Sequence, residues 1–266
     1  MAFSFRRRNQ FGPEIEVPIH LYLDILKKCL TRTLFLDSAL QGDLVTSTPA
    51  SEEWRVEGRD WPTEAETMIG LKRLDNIQFC AEQVIRSRVA GDFIETGVWR
   101  GGASIFMRAI LKAYGIQDRR VWLADSFAGL PPPDPERYPK DAGDPHHTLS
   151  PYLAVSLDEV KRNFAKYGLL DDQVVFLKGW FKDVLPSAPV ERISVLRLDG
   201  DMYESTMEAL LALYDRVTPG GFIIVDDYGC LVNCKAAVED FRAQKRISAP
   251  IVPIDWTGVY WQKERS

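Results

Sequence analysis

Two apolar runs in this chain end abruptly in acid. "VLRLDGDMY" (195–203) runs into Asp199, Gly200 and Asp201, and "GGFIIVDDYG" (220–229) into Asp226 and Asp227. A carboxylate at the end of a buried strand is costly unless something stabilises its charge. Oxygen ligands without a His or Cys pattern suit a hard cation, Mg²⁺ or Mn²⁺, rather than zinc. Asp199, Asp226 and Asp227 are therefore candidate metal ligands. Asp also caps helices and fills turns, but two adjacent acids after "FIIV" exceed what one turn requires.

A metal there would answer a chemical difficulty. An aliphatic hydroxyl is about as weak an acid as water, near ~15.7, while a free Asp sits near ~3.9. Direct proton transfer is then uphill by about 12 units, on the order of 16 kcal/mol. A divalent ion on the hydroxyl narrows that gap. Asp201, two residues past Asp199, is placed to accept the proton and is the candidate catalytic base. His146 and His147 are the alternative, since imidazole titrates near neutrality.

The stretch "ETGVWRGGAS" (95–104) follows a strand pattern and opens a helix, the placement of a loop where a ligand approaches the backbone. Trp99 fills the position where a dinucleotide loop requires its second glycine, and Glu95 repels phosphate. A carboxylate suits an ammonium or a ribose hydroxyl, so S-adenosylmethionine fits better than NAD. Glu95, Thr96, Gly97, Trp99 and Ser104 are the candidate cofactor contacts here. Asp125, about thirty residues past Gly97, can accept both ribose hydroxyls, with Ser126 beside it. In "KGWFKDVLP", Gly179 admits an adenine ring, and Trp180 or Phe181 can stack on it. Asp199, next to the turn, doubles as a cofactor contact. Each feature has a plainer reading as a strand-to-helix turn, a cap or a core aromatic; together they are specific.

These residues need a scaffold that gathers strand ends. Strand patterns ("DFIETG", "RVWLADSF", "QVVFLKGWF", "ISVLRLD", "GFIIVDD") alternate with helical ones over Thr67–Val89, Gly102–Tyr114, Leu157–Tyr167, Tyr203–Tyr214 and Cys234–Lys245. The alternation predicts an α/β fold, a mostly parallel sheet with helices on both faces. "PIVPID" and "GVYWQK" predict a C-terminal antiparallel hairpin completing seven strands. This is the outline of the class I methyltransferase (Rossmann-like) fold. Ligands in such sheets lie outside the carboxyl ends of the strands. Ahead of that domain, which we place at 61–266, residues 1–60 read as a helical extension and flap. Its helix spans His20–Leu40, with Leu21, Ile25, Leu26, Leu30 and Leu34 in its apolar pattern. Gln41–Pro62 reads as linker or irregular flap.

The 266 residues are 45% hydrophobic and carry a net charge of −5, which offers no basic footprint for nucleic acid or an anionic membrane. Met1–Gln10 lacks the apolar stretch of a signal peptide. Cys29, Cys80, Cys230 and Cys234 form neither a redox pair nor a zinc pattern, so reduced thiols in a cytoplasmic protein are expected.

"IETGVWRGGA", "ADSFAGLP", "LRLDGDMYEST" and "GGFIIVDDYG" together resemble the macrocin O-methyltransferase family. Its members are S-adenosylmethionine-dependent enzymes that methylate sugars on antibiotics, and the branch acting on noviose in aminocoumarins is the best match. The likeness runs from "EGRDWPTEAETMIGLKRLDNI" to "IDWTGVYW". It implies Mg²⁺-dependent methyl transfer to a sugar hydroxyl of a glycosylated small molecule, by a protein that pairs as a homodimer. It puts the ligands on Asp199, Asp226 and Asp227 and the base on Asp201. The "TMIG" segment, with Thr67 and Met68, packs over the cofactor, and Pro131–Leu153 forms a lid over the acceptor. That proline- and turn-rich segment suits a functional loop on composition alone. A catechol-type O-methyltransferase, an NAD-dependent oxidoreductase and a non-catalytic binding protein are the competing readings.

Overall fold

The computed structural model describes residues 13–42 and 44–264. Its main sheet has seven strands: β1 (Asp92–Thr96), β2 (Val121–Asp125), β3 (Val174–Lys178), β4 (Ile193–Leu198), β5 (Val217–Val225), β6 (Val252–Pro253) and β7 (Val259–Gln262). They lie in the order β3-β2-β1-β4-β5-β7-β6. The first five are parallel, and β7 runs antiparallel to both β5 and β6. This is the class I methyltransferase sheet with its terminal hairpin, as expected.

Parallel strands covered on both faces must be apolar on both. Phe93 of β1, Val195 of β4 and Phe222 and Ile224 of β5 join one buried cluster; Ile94, Leu196, Ile223 and Val225 join the other. The alternation is the two-residue period of a strand. On the first face pack α1 (Pro13–Leu30), α3 (Gly70–Arg86), α4 (Gly102–Ala113) and α5 (Leu157–Lys166). On the second pack α6 (Tyr203–Leu213) and α7 (Val232–Lys245). The short α2 (Glu52–Glu57) lies in the N-terminal region.

That region departs from expectation in two places. The first helix ends at Leu30 rather than Leu40. Thr31 turns its hydroxyl back to the Lys27 carbonyl at 2.8 Å, and Arg32 takes a φ of 58°, which no helix tolerates. Ile19, Leu23, Leu26 and Leu30 form its buried face, whereas Leu21 and Ile25 are exposed. Residues 41–62 are not a plain linker. Ser47–Pro49 and Trp61–Pro62 flank Ser38–Leu40 in a small antiparallel sheet. Between its outer strands, α2 begins at a Ser51 cap and stops at the left-handed Gly58. Buried Arg55 ties this region together by bonding Asp37, Asp60 and the Thr31 carbonyl.

The four cysteines are free. Among the described residues, no helix is long and apolar enough to cross a membrane. The Met1–Gln10 reading lies outside the described residues.

Candidate active site

Neighbouring strand ends step into register here. Gly97 N–H donates to the Ala124 carbonyl at 3.0 Å, Asp199 N–H to Thr96 at 2.8 Å and Asp226 N–H to Leu198 at 2.9 Å. The ladder fixes Gly97, Asp199 and Asp226 along one edge. Only glycine fits at 97, where φ is 85° and a Cβ would stand 1.6 Å from the Asp199 carbonyl oxygen.

Because β4 and β5 are paired neighbours, Asp199, Asp226 and Asp227 converge. One oxygen from each lies within 4.8 Å of the others. Two arginines neutralise part of this charge. Arg197, buried on β4, donates to Glu95 at 2.6 Å, to Asp199 at 2.8 Å and to Asp226. Arg73 of α3 bonds Asp226, Asp255 at 3.0 Å and the Gly58 carbonyl at 3.0 Å. Asp227 feels the charge of Arg73 only at a distance, and its Oδ2 is buried without a hydrogen-bond partner. Burial, with the charges of Asp201, Asp199 and Asp226, pushes its carboxyl well above the usual range. Asp199 is raised by burial and by Asp226. Asp201 sits just beyond at a left-handed φ of 58°, which Asp adopts more readily than most residues. Its carboxyl is pushed up to about 7 by burial and by Asp199.

Two cavities sharing Gly97, Asp125 and Asp199 open along this edge, with volumes of about 330 and 260 Å³. The first holds Ser126, Gly179, Trp180 and Phe181; the second holds Thr67, Met68, Glu95, Trp99, Asp201, Asp226 and Asp227. Thr96 and Ser104 line neither. Ser104 donates to Glu95, whose other oxygen faces Arg197. Glu95 is thus a buried strut under the acids, its carboxyl pushed up to about 7 by burial. Asp125 accepts the N–H of Val98 at 2.7 Å and of Phe127 at 2.6 Å, so it also shapes the glycine turn.

The segment 131–153 folds over the second cavity through single helical turns at Pro139–Asp141, His146–Leu149 and Ser150–Leu153. Asp141 accepts the N–H groups of Tyr203 and Glu204 at 2.9 and 2.8 Å, capping α6 from outside. Asp144 accepts from His146 Nδ1 at 2.5 Å and from Asn233 at 2.7 Å. His146 lines the acid cavity, whereas His147 hydrogen-bonds the Asp144 carbonyl at 3.2 Å and does not line it. Trp99 donates to the Tyr152 carbonyl at 3.2 Å, and Tyr152 donates to Pro62 at 2.7 Å. The segment is therefore bound to the glycine turn and to the small sheet.

Sequence reasoning missed Arg197 and Arg73. The signal for Arg197 lay in "ISVLRLD": a cation inside a strand covered on both faces must have partners waiting. Nothing local marks Arg73, whose acid partners lie 153 and 182 residues away.

Residues 19–263 match the family model described as macrocin-O-methyltransferase. The chain is 52% identical over 242 residues to the 8-demethyl-8-(2,3-dimethoxy-alpha-L-rhamnosyl)-tetracenomycin-C 4'-O-methyltransferase of Streptomyces olivaceus, covering 91% of this chain and 92% of that one. It is 51% identical over 246 residues to the demethyldecarbamoylnovobiocin O-methyltransferase of Streptomyces niveus, covering 92% and 94%. Among solved structures, the O-methyltransferase NovP superposes with a TM-score of 0.89 at 51% identity, over 93% of this chain and all of that one.

Proposed function

The chain belongs to the macrocin O-methyltransferase family, and from that premise we propose that it moves a methyl group from S-adenosylmethionine to a sugar hydroxyl on a natural product. The observation that carries the reading is the convergence of Asp199, Asp226 and Asp227, with Asp201 beside them, next to a cavity that reaches Asp125. The two curated relatives are named for a rhamnosyl-tetracenomycin and a novobiocin precursor. A glycosylated acceptor is proposed on that likeness.

The donor supplies an electrophilic methyl group. On this reading its ribose rests on Asp125, its base lies between Gly179 and the Trp180–Phe181 wall, and Gly97 lets it meet bare backbone. Thr67 and Met68 cover it from the α3 side.

The acid cluster fits a hard divalent cation, Mg²⁺ or Mn²⁺. The partnerless buried Oδ2 of Asp227 is the group that a cation would satisfy, and the arginines leave lone pairs on Asp199 and Asp226. Asp199, Asp226 and Asp227 would hold such an ion, which would lower the pKa of the acceptor hydroxyl. Asp201 takes the hydroxyl proton. Arg197 and Arg73 keep the acids from repelling one another, and segment 131–153 acts as the lid that excludes water. Work as a cytoplasmic homodimer belongs to the same reading. Exposed Val17, Leu21 and Ile25 along α1 support pairing, and sedimentation tests it.

The direct test is transfer of labelled methyl from S-adenosylmethionine to a panel of glycosylated aminocoumarins, tetracenomycins and macrolides, with a simple catechol alongside. Label on a sugar oxygen is the expected result. Label on the catechol alone overturns the sugar assignment.

A further inference from the structure

The cavity of about 330 Å³ continues past Asp125 and Ser126 to a region lined by Trp180, Phe181, Glu204 and Glu208. A nucleoside whose sugar is held at Asp125 places its base in that region. Trp180 and Phe181 offer faces for stacking, which every base accepts equally. Telling one purine from another requires a polar group at the base edge.

The acids along this wall differ in what they already do. Glu208 accepts the Tyr138 hydroxyl at 3.3 Å and pairs with Arg137 at 3.4 Å. Asp134, also on the cavity, accepts the Arg137 N–H at 3.2 Å. Glu204 stands apart. It is 4% exposed, and its Oε2 is buried with no hydrogen-bond partner. An acid in the first turn of a helix normally complements the helix dipole from solvent. Glu204 occupies that turn of α6 with Lys182 as the nearby cation on the same cavity, but its Oε2 is closed off from water and receives no hydrogen bond, an arrangement that costs stability unless a donor in the cavity engages the carboxyl. Its backbone is fixed, since Asp141 accepts its N–H at 2.8 Å.

A carboxyl oxygen wants an N–H donor. Adenine presents one at its N6 amine, whereas hypoxanthine and guanine present an oxygen acceptor at the same place. The geometry points to Glu204 as the residue that reads the donor's purine, accepting a hydrogen bond from the exocyclic amine. The inference rests on the S-adenosylmethionine reading above and adds to it the selection of adenine over its deaminated form.

Calorimetry with S-adenosylhomocysteine and S-inosylhomocysteine, on the full chain, tests it. The wild-type protein is expected to bind the inosyl compound about tenfold or more weakly, the worth of one good hydrogen bond. Glu204→Leu keeps the volume and removes the acceptor; it should weaken S-adenosylhomocysteine about tenfold and bind the two ligands within about threefold of each other. Glu204→Gln retains an acceptor oxygen and should hold S-adenosylhomocysteine within about threefold of wild type. The ratio between ligands is decisive, because a structural loss lowers both affinities together. A Leu variant that keeps the wild-type ratio overturns the assignment, as does a wild-type protein that binds both ligands alike, whether or not the variant folds. A wild-type protein that binds neither overturns the donor reading as well.

Discussion

Arg197 Nη1 donates to Asp199 Oδ2 across 2.8 Å, so a strand residue steadies the first acid of its own strand end. The same guanidinium also holds Glu95 and Asp226, and its side chain is almost wholly buried. A carboxylate cluster at a strand end is thus tolerable because a cation lies beneath it. Removing one partner of a buried charge pair costs about 3–5 kcal/mol. Arg197→Met should therefore lose about that much in the chelated protein, read as the urea midpoint. Mg²⁺ should recover part of it. An unchanged midpoint in EDTA would show that the acids do not depend on Arg197.

Asp227 presents the opposite case, a buried acid whose free oxygen has no partner. Chelation is expected to abolish methyl transfer and Mg²⁺ to restore it. Asp227→Asn should lose metal binding and activity while still binding S-adenosylhomocysteine. Because it relieves like-charge crowding, it should also stabilise the chelated protein by about 1–2 kcal/mol. Full turnover in excess EDTA ends the metal assignment.

Asp125 holds the turn as well as, on our reading, the ribose. Alanine there would free the N–H groups of Val98 and Phe127 together, whereas asparagine keeps an acceptor for one of them and is the milder probe. Asp125→Asn should weaken S-adenosylhomocysteine by about 1.5–3 kcal/mol, the range for a hydrogen bond to a charged group. Its affinity for the acceptor alone should not change. An unaltered cofactor dissociation constant moves the ribose elsewhere.

The fold was largely legible because its strands obey a rule visible in sequence. Runs such as "FIIV" and "VWLA" are apolar without interruption, and each ends where the ligand edge begins. The strand-end placement of the three acids and of Asp125 could be read for the same reason. The N-terminal region was harder. "STP" and "WP" are too short to show a period, so the small sheet was invisible. The signals of α2 were present in "SEEWRVEG": a Ser cap, acids in the first turn and a glycine stop. Glu95 illustrates another limit. Its type suggested a ligand contact, and only the sheet neighbour Arg197 and the helix residue Ser104 reveal that both its oxygens are engaged.

Asp37 fastens that N-terminal region. It bonds Arg55 and accepts the N–H of Ala65 at 3.1 Å, and Arg55 is only 1% exposed. The Arg55 guanidinium and backbone donors hold the Asp37 carboxyl below the usual range despite its burial. A depressed carboxylate stabilises fully above its unfolded value, about 3.9, and loses that contribution as pH falls through the lower folded value. Asp37→Asn should cost about 2–3 kcal/mol at pH ~7, below the full range for a broken buried pair because Asp60 still faces Arg55. The gap in melting temperature between the two proteins should narrow as pH drops below about 4. A gap that stays constant into acid would assign the loss to packing alone.

The proton acceptor is the assignment with a competitor in the same cavity. Asp201 follows Asp199 by two residues, on a strand-end turn anchored below by the sheet and above by the Asp141 cap on α6. His146 reaches the cavity from the segment over it, oriented by its bond to Asp144 at 2.5 Å. Geometry favours the aspartate, because its backbone continues directly from the β4 strand end beside the three acids, whereas His146 is carried by the segment above. Asp201→Asn preserves size, so both ligands should still bind while single-turnover methyl transfer falls by about 10²–10⁴-fold, the usual worth of a positioned general base. His146→Ala with His147→Ala should keep most of its rate at saturating acceptor, since on this reading the pair shapes the cover and not the chemistry. If the histidine variant is the inactive one and Asp201→Asn turns over normally, the base lies on the segment above the cavity and Asp201 has another task.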